Sequence, residues 1–301
     1  MLGKPGGAKK KAKRRIILAL ADMHSGHKLG LCNPDTILWD EGPDGQPVAR
    51  RIALGKTQEY LWELCVTLAE EVKEFAAGGE IILLYSGDLT HGIRFSEGLI
   101  ASTVDEQTQI GFWNLKPWFA LPRVTTGRLI LGTPVHTFDG SSEAIVARLL
   151  RAEYPRCDIK AISHGLLQVD EVVIDVAHHG PFPGSRVWLE GNQPRYYLRD
   201  LMWKEIQAGG RPPDVVLRAH YHVWLPPETM RIQFQGVTYE SHLVLLPSLC
   251  GMSAYARKST QSAFQQTHGV VGIEIVEGRV GQIRPFIRTL DIRTKEVLGG
   301  R

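Results

Sequence analysis

The sequence predicts an α/β fold, because short apolar runs typical of buried strands alternate along the chain with longer segments of helical periodicity. The run RIILALA at 15–21 is almost continuously apolar, as expected for a strand that is covered on both faces of its sheet. The chain has 301 residues, of which 43% are hydrophobic and 22% charged, so it can bury a full core. We therefore expect a sheet with helices packed on it.

The first half of the chain is predicted to hold three strands and three helices. The strands are at 15–21, 81–85 and 128–131, and the helices are at 57–77, 102–119 and 142–152. Thr57 is a candidate N-cap of the first helix, and Gly78-Gly79 follows it as a stop. Ser102 and Asp105 have the spacing of a capping box for the second helix. The segment 40–47, rich in Gly, Pro and Asp, is expected to be a loop.

The second half is predicted to be richer in strands. Strands are expected at 172–177, 214–219, 231–234, 241–246, 270–276 and 282–287, with one helix at 196–208. Glu277-Gly278 is expected to form the turn between the last two strands. Because the chain contains neither an internal repeat nor a linker, residues 16–301 are predicted to form a single domain.

Residues 1–15 are predicted to be a basic, flexible tail. They contain seven Lys or Arg and no acid, so the rest of the chain is slightly acidic although the net charge is +3. Such a tail can bind nucleic acid through phosphate contacts, or it can simply be solvated.

A cytoplasmic location is expected. No apolar run approaches the roughly 20 residues that a membrane-spanning helix needs, and no apolar signal-peptide core follows the basic start. The four cysteines, Cys32, Cys65, Cys157 and Cys250, are widely separated and form no Cys-x-x-Cys pair. They are therefore predicted to be reduced, structural thiols, and no membrane partner is expected.

Four short clusters of metal-binding residue types lie at or just after predicted strands. They are Asp22 with His24, Gly87-Asp88, His178-His179, and His220 with His222. Each alone has an ordinary explanation, since an Asp often caps a turn and a His often occupies a core with its nitrogens satisfied. Four in series are better explained by one site, because strand ends in an α/β sheet gather their side chains at one edge.

The order of these clusters resembles the signature of the calcineurin-like metallophosphoesterases. That signature runs Asp-x-His, Gly-Asp, Gly-Asn-His, a further His, and Gly-His-x-His, and this chain is similar to it from Asp22 through His222. The resemblance implies a four-layer αββα sandwich, in which two mixed sheets pack face to face with helices outside. It also implies two divalent metal ions, manganese first and iron, zinc or nickel as alternatives, that hydrolyse a phosphoester through a metal-activated water.

The resemblance also implies which residues bind each metal. Asp22, His24 and His222 would bind the first metal, and Asp88 would bridge both. His220 and either His178 or His179 would bind the second, with His178 preferred because the family's ligand follows its strand directly.

The third motif departs from the family pattern. The chain has Gly132-Thr133-Pro134-Val135-His136, so that Thr133 stands in the place of the Asn ligand, a form similar to variants in phage-borne members. A neutral hydroxyl is a poorer ligand than an amide oxygen, so the second metal is expected to be held more weakly or differently. His136 is the candidate catalytic histidine, and the alternative is a loop histidine without a role.

Substrate preference depends on weaker signals. The stretch at about 93–127 contains Arg94, Phe95, Phe112, Trp113, Trp118 and Phe119, and it is either a lid, a homodimer contact or a plain amphipathic helix. Arg186 and Arg195 are candidates for phosphate contact. The leading function is a phosphodiesterase or phosphomonoesterase acting on a nucleotide or nucleic acid. The alternatives are a binding or assembly protein that has lost catalysis, and a serine/threonine protein phosphatase.

Overall fold

Two mixed β-sheets and four α-helices are present in the computed structural model, which describes residues 14–184, 189–252, 264–296 and 298. The predicted α/β class is therefore confirmed. The predicted tail lies outside the described residues except for Arg14 and Arg15, which belong to the first strand. There Arg14 pairs with Glu274 and Arg15 with Asp170, so these two charges hold neighbouring elements and the boundary moves to residue 14.

The first sheet has six strands in the order β13-β12-β1-β4-β5-β6. The strands are β1 (Arg14–Leu20), β4 (Glu80–Ser86), β5 (Val124–Ile130), β6 (Asp158–Ile162), β12 (Gln265–Val276) and β13 (Arg279–Asp291). Four of them, β1, β4, β5 and β6, are parallel, whereas β12 and β13 pair in the antiparallel sense. The loops after β1, β4 and β5 therefore leave the sheet at the same edge.

The second sheet has five strands in the order β10-β11-β9-β8-β7. The strands are β7 (Gly165–Val169), β8 (Val172–Val176), β9 (Val215–Arg218), β10 (Glu228–Phe234) and β11 (Val237–Leu245). The central strands β8, β9 and β11 are parallel, and the two edge strands are antiparallel to their neighbours. The loops after β8 and β9 consequently leave this sheet side by side.

The helices are α1 (Lys56–Phe75), α2 (Val104–Phe119), α3 (Ser141–Glu153) and α4 (Asn192–Gln207). The apolar stripe of α1 is buried, as its periodicity predicts. Gly55 rather than Thr57 is the N-cap of α1. The capping box of α2 is formed by Thr103 and Glu106, one residue later than predicted, because Glu106 reaches back to the Thr103 amide.

Apolar residues of both sheets belong to one buried cluster. It includes Ile17 and Ile82 of the first sheet and Ile174 and Leu217 of the second. The side chains that alternate with these face the helices: the first sheet shares a cluster with α1, α2 and α3, and the second shares one with α4. Central strands such as β1 and β9 are therefore buried along most of their length, which explains their near-continuous apolar runs.

Four strands were not predicted from the sequence. The hairpin of β2 (Ile37–Glu41) and β3 (Pro47–Arg51) surrounds the predicted loop, and β6 and β7 lie on either side of a short turn. All four are five residues long and carry polar residues, so their apolar pattern is weak. Among the described helices, none combines the length and apolarity needed to cross a membrane.

Candidate metal centre

The four predicted clusters meet at one edge of the two sheets. Asp22 and His24 follow β1, and their amides donate to the carbonyls of Gly87 and Asp88, at 3.0 and 3.1 Å. The loops after β1 and β4 are thereby joined through their backbones. The amide of His220, which follows β9, donates to Asp22 Oδ2 at 3.3 Å and attaches the second sheet to the same point.

Five of the candidate ligands have a backbone conformation that non-glycine residues rarely adopt. Eleven described non-glycine residues have a positive φ, and they include Asp22, His24, Asp88, His220 and His222. Such conformations cost free energy and persist where the surrounding structure imposes them. Their concentration at this edge indicates that the chain is bent to direct these side chains to one place.

The first donor group consists of Asp22, His24, Asp88 and His222. His222 Nε2 lies 3.2 Å from Asp22 Oδ1 and 3.2 Å from His24 Nε2, and His24 Nε2 is 4.0 Å from Asp88 Oδ2. Asp22 is fully buried, and its Oδ1 accepts no hydrogen bond from the described residues. A buried carboxylate oxygen whose contact is an ion pair with an imidazole nitrogen is suited to a cation.

The second donor group consists of Asp88, His178, His179 and His220. His178 Nε2 lies 3.1 Å from Asp88 Oδ2 and 3.2 Å from His220 Nδ1. The His178 Nδ1–H donates to the Ser86 carbonyl at 2.7 Å, which directs Nε2 toward the group. The sequence left His178 and His179 as alternatives, and the structure brings both rings beside His220.

Asp88 belongs to both groups. Its Oδ1 accepts a hydrogen bond from the Thr133 amide at 2.6 Å, and its Oδ2 faces His24 and His178. Burial opposes ionisation of this carboxyl, but the hydrogen bond and charge of His178 hold the pKa of Asp88 below its usual value. Asp88 is therefore a carboxylate at neutral pH.

The histidines of the metal-free centre differ in protonation state, because their pKa values are shifted in opposite directions. Burial lowers the pKa of His24 and lowers that of His220 to about 4, so both rings are neutral. Burial would also lower the pKa of His178, but Asp88 and Asp22 raise it to about 9. Protons here partly balance the two buried carboxylates, which is the role a bound cation would take.

These donors fit a divalent metal ion. The groups His178-His179-His220 and Asp22-Asp88-His178 each place their ligand atoms within 4.8 Å of one another, so they can hold an ion. Neutral imidazoles with carboxylates are the donors that divalent transition metals prefer.

Thr133 and His136, from the divergent third motif, also lie at the centre. The Thr133 hydroxyl donates to Asp88 Oδ2 at 3.2 Å. His136 Nδ1–H donates to the His91 carbonyl at 2.7 Å, so its Nε2 is the nitrogen left for a ligand. The His136 ring centroid is 4.8 Å from that of His24.

His91 was not recognised as a candidate from the sequence. Its ring contacts those of His24 and His136. His91 Nδ1 is 3.4 Å from His24 Nδ1, and the three rings of His24, His91 and His136 form another group able to hold a metal. Its position, three residues after Asp88 in the loop after β4, is the signal that could have identified it.

Cys250 and Glu143 were missed as well. Cys250 Sγ lies 3.3 Å from His222 Nδ1, and Glu143 accepts a hydrogen bond from the amide of Leu89 at 3.3 Å. Burial raises the pKa of Glu143 to about 7. Neither residue belongs to a local motif, because each reaches the centre only through the tertiary fold.

The aromatic stretch between the second and third motifs divides in two. Trp118 and Phe119 lie in the core on α2, which agrees with the amphipathic-helix alternative. Phe95 is half-exposed, with its ring 5.9 Å from that of His136. Arg195 pairs with Glu228, and Arg186 lies outside the described residues.

No protein-family model matches the chain, and a search of curated proteins finds no match.

Proposed function

We propose that the protein is a dinuclear metal-dependent phosphoesterase of the calcineurin-like type. The observation that carries this proposal is the position of Asp88, whose buried carboxylate is shared by two donor groups. A carboxylate can bridge two cations because it has two oxygens and a full negative charge. The ordered motifs and the positive φ angles at the ligands support the same conclusion.

The proposal includes the four-layer αββα arrangement. It is supported by the buried cluster that combines apolar residues of both sheets and by the separate clusters between each sheet and its helices. This arrangement accounts for a centre built from the loops of both sheets, since β1, β4 and β5 supply one side and β8 and β9 the other.

Two bound cations would lower the pKa of a water molecule and hold the phosphate oxygens for in-line displacement. The protein's own residues fix the geometry of that reaction. Asp88 would hold both cations, and Thr133 fixes the orientation of Asp88 through two hydrogen bonds. His136 is oriented by the His91 carbonyl, and its Nε2 is available to stabilise phosphate charge or to deliver a proton to the leaving oxygen.

A phosphodiester is the favoured substrate class. Two partly exposed aromatic rings flank the centre. Phe95 lies beside His136, and Phe182 packs at 5.3 Å against Tyr221, whose ring is next to that of His220. Exposed aromatic faces can stack nucleobases on either side of a phosphate, and the basic N-terminal sequence suits a nucleic acid. A protein phosphatase would have no evident use for these rings.

The second candidate is a nucleic-acid-binding or assembly protein that has lost catalysis. Thr133 favours it, because a hydroxyl replaces the amide ligand that the family resemblance implies. Metal content separates the two candidates, since two bound metals with turnover support the enzyme and one or none with retained binding supports the module.

The test is hydrolysis of bis-p-nitrophenyl phosphate and p-nitrophenyl phosphate by metal-stripped protein, with manganese, zinc, nickel or magnesium added back. We expect metal-dependent cleavage of the diester and at least a 100-fold loss, as an order of magnitude, in Asp88→Asn. Asp158→Asn is the matched control, because Asp158 is half-exposed and pairs with Arg128 far along the first sheet. Equal activity in Asp88→Asn and wild type would reject the assignment.

A further inference from the structure

We propose that His179 binds the second metal together with Asp88, His178 and His220, in place of the amide ligand that the third motif lacks. This inference rests on the proposed function, because it assigns the ligands of one of its two metal positions. The sequence left His178 and His179 as alternative ligands, whereas this proposal assigns both to the second metal.

The first argument is the position of the His179 ring. Its centroid is 4.5 Å from that of His220 and 4.9 Å from that of His178. The ligand nitrogens of these three histidines all lie within 4.8 Å of one another. Nitrogen donors bound to one zinc-like ion at about 2.0–2.1 Å are roughly 3–4 Å apart, so a small rotation of the exposed His179 ring completes the set.

The second argument is that Thr133 already has another task. Its amide donates to Asp88 Oδ1 and its hydroxyl donates to Asp88 Oδ2, so both polar groups of this residue hold the shared carboxylate. The same hydroxyl lies 3.4 Å from His179 Nε2 and 3.3 Å from His220 Nδ1. Thr133 therefore lies beside the donors and fixes the orientation of Asp88, while the stronger ligand, an imidazole, stands next to it.

The third argument is the chemistry of the completed position. Three imidazoles and one carboxylate are a nitrogen-rich set, which selects zinc, cobalt, nickel or copper over magnesium and calcium. The first donor group instead has two carboxylates, Asp22 and Asp88, with two imidazoles. The two positions are therefore expected to differ in metal preference, and the second is expected to exclude magnesium.

The experiment measures metal binding to the full chain without reference to turnover. Metal-stripped wild type, His179→Ala and Thr133→Val are titrated with cobalt(II), and stoichiometry, affinity and visible absorption are recorded. Wild type is expected to bind two ions. His179→Ala is expected to bind the second ion at least about 100-fold more weakly, since removing a residue that merely orients a ligand already costs 10–100-fold. The absorption bands of that second ion should change as well.

Thr133→Val is the matched control at the same position, because it removes the hydroxyl and keeps the shape of the side chain. It is expected to keep both ions with a loss of about tenfold, the low end of the range for a residue that only orients a ligand, because the amide at position 133 still holds Asp88. Two ions bound by His179→Ala with wild-type affinity and spectrum would overturn the inference, and a reduced kcat in that protein would assign His179 to the substrate. Loss of the second ion in Thr133→Val alone would also overturn it, in favour of the hydroxyl as ligand.

These outcomes are separate from failure of the proposed function. If wild type binds no divalent ion, the phosphoesterase proposal and this inference fail together. If wild type binds two ions and His179→Ala is unchanged, only the inference fails. Circular dichroism of each variant confirms that a lost ion does not reflect a lost fold.

Discussion

The two donor groups that share Asp88 differ in burial and in composition. In the first group Asp22 and His24 are buried and His222 is partly exposed, and two carboxylates face two imidazoles. In the second group His179 is exposed and His220 partly so, and imidazoles predominate. The first position is therefore the more buried and richer in carboxylates, and the second, which contains the exposed His179, is the more open and richer in nitrogen donors.

This difference suggests different roles for the two metal positions. A buried carboxylate such as Asp22 can hold a cation strongly because water does not reach its oxygens. An open position exchanges ligands more readily and can accept a phosphate oxygen. We therefore expect the first position to anchor a metal and the second to meet the substrate.

The largest change in the relative metal affinities of the two positions is expected from Asp22→Asn. The asparagine can keep the hydrogen bond from the His220 amide, but it places an NH₂ group or a neutral oxygen where Oδ1 faces His222. We expect the first metal to bind at least about 100-fold more weakly while the second is retained within a few-fold. Isothermal titration of the metal-stripped protein measures both constants.

His220→Ala is the reciprocal variant, because His220 belongs to the second group alone. It should weaken the second metal and spare the first. If both variants reduced the two affinities equally, the two donor groups would act as a single site, and the distinction between two metal positions would be wrong.

A smaller effect, confined to the first position, is expected from His91→Phe. Burial, followed by the charges of His27 and His136, lowers the pKa of His91 to about 3, so its ring is neutral and its Nδ1 can accept from the His24 Nδ1–H. Phenylalanine keeps the ring volume and the carbonyl that orients His136, but it removes that acceptor. We expect a 10–100-fold weaker first metal, as is typical when a ligand loses its orienting partner.

The matched variant is His91→Asn, whose side-chain oxygen can accept the same hydrogen bond. Its first metal should bind within about threefold of wild type, on the same scale of outer-partner effects. Equal losses in the two variants would show that His91 acts by shape and not by accepting from His24.

The sequence indicated which residues come together at this centre, but it did not indicate how their side chains are arranged there. Asp22, His24, Asp88, His220 and His222 could be recognised because each directly follows an apolar strand, and parallel strands bring such residues to one edge. The choice between His178 and His179 could not be made, since both rings lie beside His220, which follows the neighbouring strand β9 of the same sheet.

Residues that support the ligands were largely invisible in the sequence. Cys250 meets His222 across 28 positions of chain, and Glu143 meets the loop of Asp88 across more than fifty. No periodicity or motif encodes such contacts, because they follow from how the sheets and α3 pack. The long apolar strands were predicted for the opposite reason: burial on both faces leaves a local signature, which the short polar strands β2 and β3 lack.

The last expected effect concerns the support of the shared ligand and is measured as stability, not as metal affinity. Glu143 is buried, and its raised pKa of about 7, against an ordinary 4.5, arises first from that burial. A raised folded-state pKa means that its stabilisation is complete below about pH 4.5 and is lost as pH rises through about 7. Glu143→Gln, which cannot ionise and keeps an acceptor for the Leu89 amide, should therefore gain on wild type by about 3 kcal/mol between pH 4.5 and pH 8.

Urea unfolding of the two proteins at several pH values, with metal chelated, measures that gain. The histidines of the centre titrate in both proteins, so their contribution cancels in the difference. Glu153→Gln is the control on the same helix, because Glu153 is exposed and pairs with Lys116, and its difference from wild type should stay nearly constant with pH. If the difference in unfolding free energy between Glu143→Gln and wild type were also independent of pH, Glu143 would be ionised throughout. A carboxylate, not a carboxylic acid, would then accept the hydrogen bond from the Leu89 amide.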